Sequence, residues 1–253
     1  MAIRTEIHRH VGEVVIDHPP VNALDSAAWY ELVRIITELA ARATVRCLLL
    51  RGEGRGFCAG VDLREIQQEP ERIVELNRAN FLAFRAVRSC EVPVVTAVHS
   101  FVIGAAIGLC GASDVVIAAE DAYFSLPDID RSAMGGASHL SRLFPLHKVR
   151  AAFFTGGRIT AAEAYRLGAV ERLVPPKRLL KEARAFAGLI AAKSRRALTL
   201  GKEALNGLET RDVDLGLRFE QGFTLEMGLR EPQVKTRAAS HRSKDKDKDV
   251  AKL

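Results

Sequence analysis

With 253 residues, 48% of them hydrophobic and 27% charged, the chain has the make-up of a folded globular protein and not of a disordered, collagenous or membrane-bundle one. The formal net charge of +6 is unevenly placed: residues 235–253 hold seven Lys or Arg against three Asp, a local +4 that leaves the body at only +2. That distribution excludes a strongly basic body, and the tail, SKDKDKDVAKL, is too poor in apolar residues to fold alone.

The length fits one α/β core with a smaller helical appendage: residues 1–195, then a helical region over 196–234, then the charged tail over 235–253. The first ten residues, MAIRTEIHRH, lack an apolar leader segment. Cys47, Cys58, Cys90 and Cys110 have neither zinc-site spacing nor disulfide-scaffold density, so they read as reduced thiols of a cytoplasmic protein.

Taken in order, Val11 to Asp17 reads as a strand that stops at Pro19-Pro20. From Ser26 the apolar positions Trp29, Leu32, Val33, Ile36, Leu39 and Ala40 recur at helical spacing, with Asp25 or Ser26 as the cap. Val45 to Leu50 is an apolar run too short for a helix, which predicts a strand buried on both faces and paired in parallel with the first. Glycines 54, 56 and 60 then break regularity, as they do where backbone amides approach a ligand.

Asn77 to Arg88 is predicted as an amphipathic helix, Val92 to Val98 as a strand, and Gly104 to Ala112 as a helix of small residues. Val92 to Ser113 is long enough to cross a bilayer, but Pro93 and its small residues favour a buried strand followed by a buried helix. Val115 to Ala119 is a further strand, Phe124 to Gly136 a loop, and Ala137 to Leu143 a helix; from Ala161 the pattern is almost wholly helical. Strands alternating with helices predict an α/β architecture.

Four segments in this order resemble the crotonase superfamily, also called the enoyl-CoA hydratase/isomerase family: VVIDHPPVNALD, RCLLLRGEGRGFCAGVDLREI, EVPVVTAVHSFVIGAAIGLCGASDVVIAAEDAYFSLPDI and FTGGRITAAEAYRLGAVERLVP. The resemblance implies a spiral of short strands and helices with a C-terminal helical region that trimerises, hence a homotrimer or hexamer. It implies an acyl-CoA thioester as substrate, with coenzyme A part of that substrate and no separate cofactor. The thioester oxygen becomes an oxyanion in the transition state and is received by two backbone amides, which by motif position are those of Val61 and Ala105. Ala105 stands at a predicted helix start, where unpaired amides favour an anion. Ala59, Gly60, Asp62, Leu63 and Arg64 would line the coenzyme A, with Asp62 holding the loop and Arg64 near phosphate.

Many hydratases of this family use two glutamates. The first matching position here is Gly108, which has no side chain; the second is Asp128, in Phe124-Ser125-Leu126-Pro127-Asp128. Hydration is easiest with two carboxylates, whereas one suffices to move a proton between carbons or to activate a water against a β-dicarbonyl C–C bond. Double-bond isomerisation or hydration is therefore the leading expectation, and C–C hydrolysis of a cyclic β-keto acyl-CoA the alternative. Gly108 and Gly136 are expected to leave room for a bulky acyl group. Asp130 and His139 are further candidate polar groups, each weighed against a role as a loop carboxylate or as a structural histidine.

Non-catalytic acyl-CoA binding or RNA binding forms another class. Against RNA, the helix from Ser26 to Arg42 carries only Arg34 and Arg42 as basic residues, a poor phosphate-tracking face. Metal-ligand spacing and a dinucleotide fingerprint are both missing, so neither a metal nor a nicotinamide is expected.

Overall fold

The computed structural model describes residues 2–131, 135–209, 214–215, 217–218 and 221–222. A six-stranded sheet carries the fold. Its strands are β1 (Ile3–His8), β2 (Val11–Ile16), β4 (Cys47–Gly52), β6 (Val94–Val98), β8 (Val115–Ala119) and β11 (Arg172–Val174), in that spatial order. β1 is antiparallel to β2 and every later pair is parallel. Two smaller sheets sit beside it: β3 (Ala23–Leu24) with β5 (Gly60–Val61), and β7 (Phe101–Ile103), β9 (Tyr123–Ser125) and β10 (Arg158–Thr160), with β9 in the middle.

The helices are α1 (Ser26–Ala41), α2 (Leu63–Gln68), α3 (Arg72–Ser89), α4 (Ala106–Ala112), α5 (Ala137–Leu143), α6 (Leu146–Thr155), α7 (Ala161–Arg166), α8 (Leu179–Ala191) and α9 (Arg195–Leu208). Asp25 caps α1 by accepting from the Ala28 amide at 2.8 Å. The continuous apolar runs arise because the large sheet is covered on both sides. Successive side chains alternate faces, so Leu48 and Leu50 enter the core under α1, α3 and α4, while Cys47 and Leu49 meet α8 through Ala183 and Ala187.

Two expectations need correction. Phe124 to Gly136 is not simply a loop: Phe124 and Ser125 belong to β9, and Pro127–Arg131 forms a 3-10 turn. The stretch from Ala161 includes strand β11, which pairs with β8. Both strands are three residues long and owe their conformation to distant partners, so local periodicity carries no trace of them.

α9 is fastened by a buried lysine. Lys202 Nζ donates to Val87 O at 3.0 Å and Val92 O at 3.1 Å and pairs with Asp114 at 2.9 Å. The expected helical region over 196–234 is seen through α9, whereas most of its remainder and the whole charged tail lie outside the described residues. Val92 to Ser113 folds as β6, β7 and α4, and among the described residues no helix is long and apolar enough to cross a membrane.

Candidate active site

The site is assembled where β3, β5, β7 and β9 meet the start of α4. Asn22, buried and in a left-handed conformation (φ 56°), organises the approach. Its Nδ2 donates to Glu53 O, Gly56 O and Phe57 O at 2.8, 3.0 and 3.1 Å, and its Oδ1 accepts from the His18 amide. One asparagine thus satisfies the carbonyls of the glycine-rich turn and holds it against the VNAL segment. Sequence reasoning did not single out Asn22; its signal was an Asn just after Pro19-Pro20, a residue that tolerates positive φ at a turn.

The segment after this turn runs beside β7. Phe57 N donates to His99 O at 3.1 Å, Ile103 N donates to Cys58 O at 3.1 Å, and Cys58 bridges Val102. Gly60, at φ 85°, is thereby pressed against the turn between β7 and α4. A Cβ on Gly60 would stand 2.7 Å from Ile103 O and 3.0 Å from Ala105 N, so only glycine fits without a shift. The amide of Asp62 donates to Leu24 O at 2.8 Å. Val61 follows Gly60 on β5, next to the turn that carries Ala105. Ala105 is the N-terminal cap of α4, and the amides of Ile107 and Gly108 turn back to Gly104 O and Ala105 O at 3.0 and 2.9 Å.

Asp128 reaches this place from β9. β7 and β9 pair in parallel with Ile103 opposite Ser125, and Gly104 N donates to Ser125 O at 3.0 Å. Three residues on, at the start of the 3-10 turn, the carboxylate oxygens of Asp128 lie 3.6 and 3.7 Å from where a Cβ on Gly104 would be. Gly104 (φ 58°) lets carboxylate and backbone approach each other. The Gly60–Val61 strand, the Gly104–Ala105 turn and Asp128 are therefore neighbours in the fold.

Asp62 caps α2. Its carboxylate accepts from the Arg64 amide at 3.0 Å and forms a forked pair with the guanidinium at 2.7–3.1 Å, and the Arg64 hydrogen bond holds Asp62 below the usual carboxylate range. The Arg64 side chain is 72% exposed. Ala59 N donates to Val21 O at 3.1 Å, and Leu63 opens α2.

Three candidates fare differently. Gly108 leaves no open cavity: a Cβ there would overlap the ring of Phe84, which fills the room from α3. This corrects the expectation of acyl space at Gly108. Asp130 is exposed on the 3-10 turn and lies against Gly156, the C-terminal cap of α6, where a Cβ would be 2.9 Å from its Oδ2. Gly136, the left-handed cap of α5 (φ 78°), does border the site, since a Cβ on it would meet Leu126 Cδ2 at 3.3 Å and Gly104 O at 4.0 Å.

His139 is fully buried. It is not the hydrogen-bonded structural histidine weighed above, because neither ring nitrogen has a hydrogen-bond partner among the described residues. Burial, with smaller contributions from Arg142 and Arg88, lowers its pKa to about 3, so the ring is neutral.

Away from the site, Glu6, His8 and Glu13 lie close enough to share a cation. Glu13 is already held by Arg184 Nε at 2.5 Å and Nη2 at 2.9 Å, so the group reads as ion pairing between β1–β2 and α8. The four cysteines are free, and burial pushes the thiols of Cys47 and Cys58 up to about 12, which makes them poor nucleophiles.

Comparison with known proteins gives the family. Residues 6–232 match the family described as Enoyl-CoA hydratase/isomerase. A (7aS)-7a-methyl-1,5-dioxo-2,3,5,6,7,7a-hexahydro-1H-indene-carboxyl-CoA hydrolase of Mycobacterium tuberculosis is 45% identical over 218 residues, covering 85% of this chain and 88% of that protein. A protein of the same name from Rhodococcus jostii is 43% identical over 221 residues, covering 87% and 86%. In fold, the chain is similar to the crystal structure of an enoyl-CoA hydratase/isomerase from Xanthobacter autotrophicus, with a TM-score of 0.87 at 24% identity over 98% of this chain and 99% of that one. With a family match over residues 6–232 and relatives 45% and 43% identical over most of their length, the chain belongs to the enoyl-CoA hydratase/isomerase, or crotonase, family and is an enzyme of acyl-CoA thioesters.

Proposed function

We propose that this enzyme hydrolyses a C–C bond in the ring of a cyclic β-keto acyl-CoA. The observation that carries the reading is the ring of Phe84 at Gly108: where a hydratase of this family presents a second carboxylate, an aromatic ring fills the space and Asp128 is left to do the acid/base work. The two hydrolases of an indene-carboxyl-CoA, at 45% and 43% identity, support the same reading over hydration or isomerisation.

The chemistry needs one carboxylate and one oxyanion site. Asp128 takes a proton from water as its oxygen bonds to the ring ketone carbon. The adduct collapses to a carboxylic acid, and the bond to the α-carbon breaks with its electron pair passing to that carbon. The resulting thioester enolate carries its charge on the oxygen held by the Val61 and Ala105 amides. Asp128 then returns the proton to the α-carbon. Water is consumed, the thioester survives and nothing is oxidised. Arg64 and the loop from Ala59 to Leu63 hold the coenzyme A end.

Incubation with a cyclic β-keto acyl-CoA, a 2-enoyl-CoA and a 3-enoyl-CoA in heavy-oxygen water, followed by mass spectrometry, tests this. Expected is heavy oxygen in a new carboxylate of a product still joined to coenzyme A. Free coenzyme A with the ring intact would replace the reading by thioester hydrolysis. A moved double bond, or water added to the enoyl substrate alone, would restore isomerisation or hydration.

A further inference from the structure

Two glycines one turn apart on α4 give α3 and α5 a common meeting place. Gly108 admits the ring of Phe84. Gly111 admits the backbone of α5, since a Cβ there would lie 2.8 Å from the carbonyl carbon of His139 and 2.7 Å from its Cβ. The Phe84 and His139 rings consequently meet with centroids 5.0 Å apart at 62°. One turn further along each helix, Arg88 and Arg142 both pair with Glu209 and close the far end. At the near end, α5 begins at Gly136 against Gly104 O, beside Asp128.

His139 therefore sits between the site and a sealed end, with both ring nitrogens buried and unpartnered among the described residues. Asn80, one turn before Phe84 on α3, is buried too and its Oδ1 has no partner there. An unmade hydrogen bond to a buried polar group costs about 1–3 kcal/mol, and a purely structural role would be met better by phenylalanine. Both groups neighbour the Phe84 ring, Asn80 one turn before it on α3 and His139 by ring contact, and an oxygen-bearing ligand that reached His139 would supply the missing acceptor.

Resting on the C–C hydrolase reading, we infer that His139 recognises the acyl group, donating a ring N–H to a second ring oxygen remote from the thioester. A substrate with a second ring ketone satisfies the histidine; a plain fatty acyl chain leaves it unpaired.

The test uses the full chain carrying Asp128→Asn, so that ligand is bound and not consumed, labelled with ¹⁵N at histidine. The His139 ring resonances, assigned by their loss in His139→Phe, are followed while adding the coenzyme A thioester of a bicyclic β-keto acid bearing a second ring ketone, and then its counterpart without that oxygen. Expected is a shift with the first ligand and none with the second. His139→Phe should weaken the first about tenfold, the worth of one hydrogen bond, and leave the second within about twofold. His139→Gln, which keeps a donor, should recover part of the loss. Resonances that move equally with both ligands, or with neither, overturn the inference and leave His139 facing internal water or neighbouring rings. The mass-spectrometric assay on the wild type reports separately whether the ring is opened, so failure of the hydrolase reading and failure of the histidine's role are told apart.

Discussion

The ring of Phe84 occupies the space that any side chain at Gly108 would need. The two residues lie on different helices, α3 and α4, and Phe84 is further fixed by an edge contact with Trp29, centroids 5.8 Å apart at 89°. This relationship leaves no room for a side chain at position 108 unless the Phe84 ring moves.

Gly108→Ala should accordingly destabilise the protein by about 1–3 kcal/mol, the usual cost of overfilling a packed core. Adding Phe84→Ala should offset part of that loss, because the added methyl group then meets a void. Chemical denaturation of the two single variants and the double variant measures the coupling; strict additivity would mean that the two residues do not compete for one space.

Asp128→Asn should lower turnover by about a hundredfold or more while acyl-CoA binding changes little, since the amide keeps the shape and loses the base. Steady-state kinetics beside calorimetric binding separates the two effects. A variant with undiminished turnover would remove Asp128 from the chemistry.

Gly60→Ala should damage stability and activity together. Its left-handed φ and the 2.7 Å approach to Ile103 O force a shift of the strand that carries Val61. A stability loss of about 1–3 kcal/mol and a turnover loss of about a hundredfold are expected from thermal melts and kinetics. Gly54→Ala is the control: it shares a positive φ but has nothing within 4 Å of its Cβ position, so its effect should stay in the melting curve.

Stability should fall on acidification through the range set by His139. The unfolded ring takes up a proton near pH 6.5, whereas the buried one resists to about 3, so between these values the unfolded state binds more protons and protonation favours unfolding. The His139 contribution is present in full above pH 6.5 and is lost progressively below it, at no more than about 1.4 kcal/mol per pH unit. Denaturation of wild type and His139→Phe across pH 7 to 4 should show the difference in slope; parallel curves would contradict it.

Local patterns in the sequence determined a good deal by themselves. The strands Val11–Ile16, Cys47–Gly52, Val94–Val98 and Val115–Ala119 were legible as short apolar runs, and the helix at Ser26 as a periodic one, because burial on a sheet or along a helix face imposes a repeat that neighbours in the chain share. The motif positions of Val61, Ala105 and Asp128 were legible too. Only the tertiary structure decided what stands around them. β9 and β11 exist through their partners, Asn22 ties two segments about thirty residues apart, and Asp130 turns to Gly156 while Asp128, two residues before it, turns to Gly104. At Gly108 the missing side chain could be read from the sequence as an empty space, yet its occupant comes from a helix more than twenty residues earlier. A chain records which atoms a position lacks; which neighbour fills the gap depends on contacts distant in sequence, and these exist only in the folded protein.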